Sequence, residues 1–232
     1  MATLPTPQAI TFSQIQGGTT ARLEANRKDV MTYLAIFIPA TAIASYLDTS
    51  LGLISSSGDQ LIQRQNGPIG LLVLIASVIF QCRLFAAMLG KPDDSGRYLG
   101  FIGLAILSAL GVGFSAILLI VPGLIVGARW LMSPAIFVGE GLGVTDALSA
   151  SWQRTKGNTA PVVWAVLALF GVLIVLSIVA GVLIGLLSFI PFLAELVDAV
   201  AGEVFTVVLV AMSVSVYGLL SGHREELQNV FA

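Results

Sequence analysis

Residues 159–187 read TAPVVWAVLALFGVLIVLSIVAGVLIGLL, and this stretch decides the fold. It contains no Asp, Glu, Lys or Arg. A helix needs about 17–25 predominantly apolar residues to cross the hydrocarbon core of a bilayer. The stretch therefore predicts a membrane-spanning helix, and its extra length predicts either a tilted helix or an interfacial extension.

Apolar stretches of this kind recur along the whole chain. Only 10% of the 232 residues are charged and 56% are hydrophobic, whereas a soluble domain is about 25% charged. Apolar surface in such excess must face lipid. We predict an all-α, polytopic transmembrane helical bundle of about six spans, at residues 30–47, 68–90, 98–121, 123–139, 159–187 and 192–220.

The six spans form one membrane domain, residues 30–220, between two polar ends. Residues 1–29 are predicted to be a cytoplasmic amphipathic segment, and residues 221–232 a cytoplasmic tail. Val121-Pro122-Gly123 predicts a tight hairpin between the third and fourth spans, because Pro cannot continue a helix. Ser188 to Pro191 predicts a similar turn between the fifth and sixth spans.

The distribution of Lys and Arg predicts the orientation. Eight of these residues fall on one side of the predicted spans: Arg22, Arg27, Lys28, Lys91, Arg97, Arg154, Lys156 and Arg224. On the other side the sequence places only Arg64. Since cytoplasmic loops carry the excess of Lys and Arg, both termini are predicted to be cytoplasmic, and an even number of spans agrees.

Two polar, amphipathic segments precede spans, at residues 14–28 and 144–157. In the second, Val144, Ala147, Leu148 and Trp152 follow one another at helical spacing and form an apolar stripe. Such helices can lie in the membrane interface, with Trp at headgroup depth. We therefore expect one or two cytoplasmic interfacial helices, and an internal duplication is left open.

Residues 121–159 read VPGLIVGARWLMSPAIFVGEGLGVTDALSASWQRTKGNT. This stretch resembles the bacterial YciC-like group and the membrane domain attached to glycerophosphoryl diester phosphodiesterases. The matching positions are Pro122, Gly123, Arg129, Trp130, Pro134, Glu140, Gly141, Ala147, Leu148, Ser151, Trp152, Thr155, Gly157 and Asn158.

The resemblance implies a six-helix protein of the bacterial inner membrane whose molecular activity is poorly defined. It supplies no catalytic residues. Given the chain length, we expect no phosphodiesterase barrel, which needs about 250 residues, beside the membrane part. A phosphodiesterase activity is therefore not expected.

Charged residues inside or at the ends of spans are the candidate polar or ion-pair positions: Arg83, Arg129, Glu140 and Glu203. A charge in mid-membrane costs at least about 2.5 kcal/mol on insertion scales, so it normally has a partner or a function. Arg129 and Glu203 lie at similar depth if their helices are straight, which predicts an ion pair between them. A polar pathway and structural ion pairing both remain open for the set.

Sequence motifs for enzyme chemistry are missing. The only His is His223, no HExxH or Walker motif occurs, and no Ser–His pair can form within the spans. We expect no catalytic, cofactor-binding or metal site. A net charge of −2 without a basic stripe argues against nucleic acid as a partner.

The leading functional hypothesis is an integral membrane protein with a structural or organising role, which contacts membrane lipids or a partner. The alternative is a small transporter or permease component with an intramembrane polar site. Small residues recur every fourth position in three spans: Ala109 and Gly113; Gly123 and Gly127; Ser177, Gly181 and Gly185. Such faces pack helices closely, and they leave both intramolecular packing and homo-oligomerisation open.

Overall fold

The computed structural model describes residues 10–53, 67–118, 120–186 and 189–231. These ranges form helices and short turns, without a β-strand among them. The helices are α1 (Phe12–Ala25), α2 (Arg27–Ser50), α3 (Pro68–Leu89), α4 (Tyr98–Leu118), α5 (Ile120–Trp130), α6 (Ser133–Glu140), α7 (Val144–Arg154), α8 (Thr159–Leu186) and α9 (Pro191–Phe231), with a 3-10 turn at Ser95–Arg97.

Six helical stretches in the described residues are long and apolar enough to cross a bilayer. They are Arg27–Ser50, Pro68–Leu89, Ser95–Ile117, Val121–Glu140, Thr159–Leu186 and Pro191–Ser221. The predicted all-α, polytopic bundle of six spans is confirmed. The predicted loop between the first two spans, with Ser56 and Arg64, lies mostly outside the described residues.

The buried core lies toward one end of the bundle. We call it the cation-rich end, because α1, the α3–α4 turn (residues 90–94) and the α7–α8 turn (residues 155–158) bring Arg22, Lys91 and Lys156 there. The side chains of α9 are buried from Val210 to Val216 on this side. Toward the other end, α4 and α8 expose long aliphatic faces, which a membrane would cover with lipid.

Helices α4 and α5 form the predicted hairpin, but Pro122 lies within the first turn of α5. Helix α5 already begins at Ile120, and Pro is tolerated in the first turn of a helix because its missing N–H has no intrahelical partner there. A Cβ at Gly123 would lie 2.7 Å from Cα of Ala116. The absence of a side chain at Gly123 therefore permits this close approach of the two backbones.

The fourth span differs from the single helix that the sequence predicts over residues 123–139. It consists of α5 and α6, separated by a turn at Leu131 and Met132. Pro134 lies in the first turn of α6. Its ring and its missing N–H remove a helical hydrogen bond at this position and favour a kink or a break, and here the chain ends one helix and starts another.

The two amphipathic segments pack against the bundle. Ile15 of α1 is buried, and its carbonyl accepts a hydrogen bond from the Ser215 hydroxyl of α9 at 3.2 Å. In α7, Ala147 and Leu148 of the predicted apolar stripe are buried. The apolar stripe of α7 therefore faces protein along at least part of its length.

Candidate functional site

The break between α5 and α6 is a buried polar centre. Three consecutive main-chain carbonyls at this break each accept a serine hydroxyl at 2.6 Å: Arg129 from Ser151, Trp130 from Ser133 and Leu131 from Ser213. All three serines are buried. Carbonyls freed by a helix break are costly in a membrane unless other donors reach them, so the serines make the break tolerable.

Arg129 lies at this break and packs against α7. Its guanidinium carbon is 4.4 Å from the ring centroid of Trp152. Its buried Nε atom has no hydrogen-bond partner among the residues that the structure describes. A cation over an indole face is stabilised by the ring quadrupole, by about 2 kcal/mol when water is excluded. Trp152 therefore provides the main contact for the Arg129 charge.

Glu203 lies elsewhere, at the interface between α9 and α2. Its two carboxylate oxygens accept hydrogen bonds from the Tyr33 hydroxyl and the Thr41 hydroxyl, each at 2.9 Å. Hydrogen bonds that donate to a carboxylate are roughly twice as strong as neutral ones. The side chain is half-buried, and α2 supplies its donors.

The predicted ion pair between Arg129 and Glu203 is wrong: no salt bridge joins these two described residues. The contact between Ser213 and Leu131 explains why, because it places the end of α5 beside the later part of α9. Ser213 is ten residues beyond Glu203, or about 15 Å along a helix at 1.5 Å per residue. The prediction estimated the depths of Arg129 and Glu203 from residue counts along straight helices. It did not include this displacement of α5 along α9.

A small cavity adjoins Glu203 between α2, α3 and α9. Its volume is about 50 Å³. Residues from all three helices line it, including Thr41, Ser45, Asp48, Ser77 and Glu203. One water needs about 10–15 Å³ measured in this way, so the cavity has room for water but not for an ordinary metabolite.

Asp48 lines this cavity, and its carboxylate also caps the N-terminus of α3. Its carboxylate accepts hydrogen bonds from the backbone N–H groups of Ile69, at 3.2 Å, and Gly70, at 2.7 Å. Only 1% of the residue is exposed. Asp48 therefore satisfies the free N–H groups in the first turn of α3, and its negative charge is favourable at a helix N-terminus.

Sequence reasoning missed the polar seam between α2 and α9, although a signal was present. Thr41, Ser45 and Asp48 follow one another at helical spacing on an otherwise apolar span. In the structure Ser45 donates to Glu195 at 2.6 Å, next to the Thr41–Glu203 contact. This polar stripe on the first span could have predicted which face of α2 meets α9.

Two further candidates, Arg83 and Glu140, form ion pairs with nearby residues. Arg83 pairs with Asp93 at 2.9 Å. Glu140 binds Arg154 through both carboxylate oxygens; the Oε2–Nη2 distance is 2.7 Å. The hydrogen bond to Glu140 raises the pKa of Arg154 above its ordinary value. Glu140 and Arg154 therefore connect α6 to α7 through a bidentate salt bridge.

The remaining residues of the family-like motif occupy structural positions. The ring of Trp130 lies where a Cβ at Gly111 would clash with it. Gly157 adopts a φ of +85° in the turn after α7. Oδ1 of the neighbouring Asn158 accepts a hydrogen bond from the backbone of Ile10 at 3.1 Å. Together with Pro122, Gly123, Pro134 and Trp152, these residues shape the chain from α4 to α8.

Comparison with known proteins does not assign the chain to a family. No family model matches the chain. No curated protein and no solved structure matches it either. The resemblance to the YciC-like group therefore stays a prediction. Within the described ranges, His, Cys, Asp and Glu form no group of three or more that could hold a metal ion.

Proposed function

We propose that this chain is a non-enzymatic structural component of a bacterial inner membrane, where it organises lipids and neighbouring membrane proteins. The observation that carries this proposal is that the charged groups named here each contact a nearby side chain of the bundle. Glu203 receives two hydroxyl donors, Arg129 lies against Trp152, and Arg83 is ion-paired. Charges arranged in this way stabilise a bundle without requiring a substrate.

The geometry gives less support to the transporter alternative. A transport site is typically built where discontinuous helices meet near the centre of the membrane. The broken fourth span supplies a discontinuity, but the carbonyls at its break already accept serine hydroxyls. The cavity beside Glu203, at about 50 Å³, is far smaller than typical small-molecule sites of about 300–1,000 Å³.

Helix α8 supports contact with lipid. Its outer half exposes Ile174, Ile178 and Val182. In the described part of the chain, a Cβ at Gly181 or Gly185 would meet no atom within 4 Å, so no described helix packs against these two glycines. In the proposed role, acyl chains cover the face of α8, and a second copy of the chain is the competing occupant.

The orientation with both termini in the cytoplasm is part of the proposal. It is supported by the cations at the cation-rich end, among them Arg27, Lys28, Lys91 and Lys156, through the positive-inside rule. Reporter fusions after Gly90 and after Asn158 are expected to give cytoplasmic signals. A fusion at Ser56, which lies outside the described residues, is expected to give a periplasmic signal, and a cytoplasmic one would refute the six-span orientation.

The structural role is tested by flux measurements on purified protein in liposomes, with H⁺, Na⁺ and K⁺ as probe cargoes. The expected result is no flux above that of protein-free vesicles. A photo-crosslinker at Ile178 in native membranes should at the same time yield adducts with lipid or with a discrete membrane protein. Saturable flux of any probe that Glu203→Gln abolishes would overturn the structural role in favour of transport.

A further inference from the structure

A half-exposed pair of opposite charges lies beside the α3–α4 turn. Nε of Arg83 donates to Asp93 at 2.9 Å and to the Tyr98 hydroxyl at 2.8 Å. The side chains of Arg83 and Asp93 are 48% and 43% exposed. The Arg83 guanidinium carbon also lies 5.2 Å from the ring centroid of Phe80 and 5.6 Å from that of Tyr98. The two aromatic contacts restrict where the guanidinium can go.

The pair faces the lipid side of the bundle. Arg83 continues a stripe along α3 that includes Leu72, Ile75 and Ile79 at successive spacings of three and four residues. Leu72 and Ile75 are exposed apolar residues, and an exposed apolar stripe on a membrane span faces lipid. Arg83 is six residues before the end of α3, or about 9 Å, which places its head near the boundary between acyl chains and headgroups.

The pair offers a hydrogen-bond donor and a hydrogen-bond acceptor side by side: the Nη atoms of Arg83 and the carboxylate of Asp93. Only Nε of Arg83 donates to a described residue, and none of them accepts a hydrogen bond from its Nη1 or Nη2. A free guanidinium edge of this kind binds phosphate oxygens with two parallel hydrogen bonds. Beside it, the half-exposed Asp93 carboxylate can accept a hydrogen bond from an ammonium group, and its charge disfavours a ligand that is only anionic.

We propose that Arg83, Asp93 and Tyr98 form a site for the headgroup of a phosphatidylethanolamine. The phosphate binds Arg83, and the primary ammonium donates to Asp93. A trimethylated ammonium cannot donate, so the site discriminates against choline headgroups. The inference goes beyond the proposed structural role, because headgroup binding on this surface is independent of whether the bundle also organises proteins.

The test is native mass spectrometry of the full chain in detergent, with ethanolamine, choline and glycerol phospholipids that share the same acyl chains. The protein is expected to retain the ethanolamine lipid preferentially. Arg83→Gln should weaken its retention about tenfold, which corresponds to the loss of one charge-assisted interaction. Lys91→Gln removes a charge of the same sign from the adjacent α3–α4 turn and should leave the preference unchanged.

Asp93→Asn separates the proposal from general attraction between opposite charges. Removing this carboxylate should reduce ethanolamine-lipid retention and raise retention of the anionic glycerol lipid, so the preference reverses. Because Asp93 lies in an exposed turn, this variant is informative even if Arg83→Gln does not fold. Equal losses from Arg83→Gln and Lys91→Gln, or an unchanged preference in Asp93→Asn, would overturn the proposal.

Discussion

The hydroxyl of Ser213 in the sixth span donates to the main-chain carbonyl of Leu131 at 2.6 Å, and it thereby ties α9 to the break in the fourth span. Ser213 is buried, so no water can replace it without a change in packing. The break needs such donors because Pro134 ends the regular hydrogen-bond ladder there. The contact also fixes how far α5 reaches along α9, and thus separates Arg129 from Glu203.

Replacing Ser213 with Ala should lower the free energy of unfolding by about 1–2 kcal/mol, because a buried carbonyl loses its donor. Ser115→Ala is the matched control. Its hydroxyl donates to the Gly111 carbonyl four residues earlier, which the helix already satisfies, so the loss should be close to zero. Unfolding in mixed micelles with increasing SDS measures both, and equal losses would contradict a special role of Ser213.

The all-α architecture and the number of spans could be predicted from the sequence, because a bilayer accepts only helices of sufficient apolar length. Residues 159–187 can be stable only as a span, and the number of such stretches sets the architecture. The fourth span shows the limit of this reasoning. A proline in an apolar run permits either a kink or a full break, and the outcome depends on donors such as Ser151 and Ser213, which lie far away in the sequence.

Arg129 and Trp152 should show a coupling energy of about 2 kcal/mol in a double-mutant cycle, as expected for a desolvated cation–π contact. The variants are Arg129→Met and Trp152→Leu, and unfolding in SDS is again the measurement. The comparison cycle joins Arg129→Met with Glu203→Gln. The losses in that second cycle should add within about 0.5 kcal/mol, because the two sites share no contact. A larger coupling with Glu203 than with Trp152 would reverse the assignment of partners.

The candidate site was harder to predict than the fold, for a physical reason. Charged residues in spans stand out, but the partner of Glu203 turned out to be a pair of hydroxyls, from Tyr33 and Thr41. Hydroxyl-bearing residues are common in membrane helices. Because they are neutral, opposite charge does not identify which of them pairs with a carboxylate. Which of them meets a carboxylate depends on how α2 and α9 rotate against each other, and the sequence alone does not specify that rotation.

Thr41→Val should destabilise the bundle by about 1.5–3 kcal/mol, since it removes a donor from a half-buried carboxylate. Thr32→Val in the same helix is the control. Within the described ranges the Thr32 hydroxyl donates only to the carbonyl of Lys28, one turn earlier, and the residue is exposed. Thermal unfolding in detergent should therefore show a clear loss for Thr41→Val and little change for Thr32→Val, whereas similar shifts would count against the α2–α9 seam.

Gly141→Ala should destabilise the turn that links α6 to α7, by about 1–2 kcal/mol. Gly141 adopts a φ of +72°, a region in which a Cβ is strained. The new Cβ would also lie 2.9 Å from Nη1 of Arg97, whose Nη2 donates to the Leu142 carbonyl at 2.7 Å. The substitution therefore strains the backbone and pushes on the arginine that holds the turn.

The control for this substitution is Gly113→Ala in α4, where a Cβ would meet no atom of a described residue within 4 Å. Alanine in a helix is favoured over glycine by about 1 kcal/mol, so this variant should be neutral or slightly stabilising. Unfolding in SDS should therefore come earlier for Gly141→Ala and be unchanged or slightly later for Gly113→Ala. If Arg97 rather than backbone strain dominates the cost, Arg97→Ala in the Gly141→Ala background should recover part of the loss. If backbone strain dominates, that second change should lower stability further, because the Leu142 carbonyl then loses its donor.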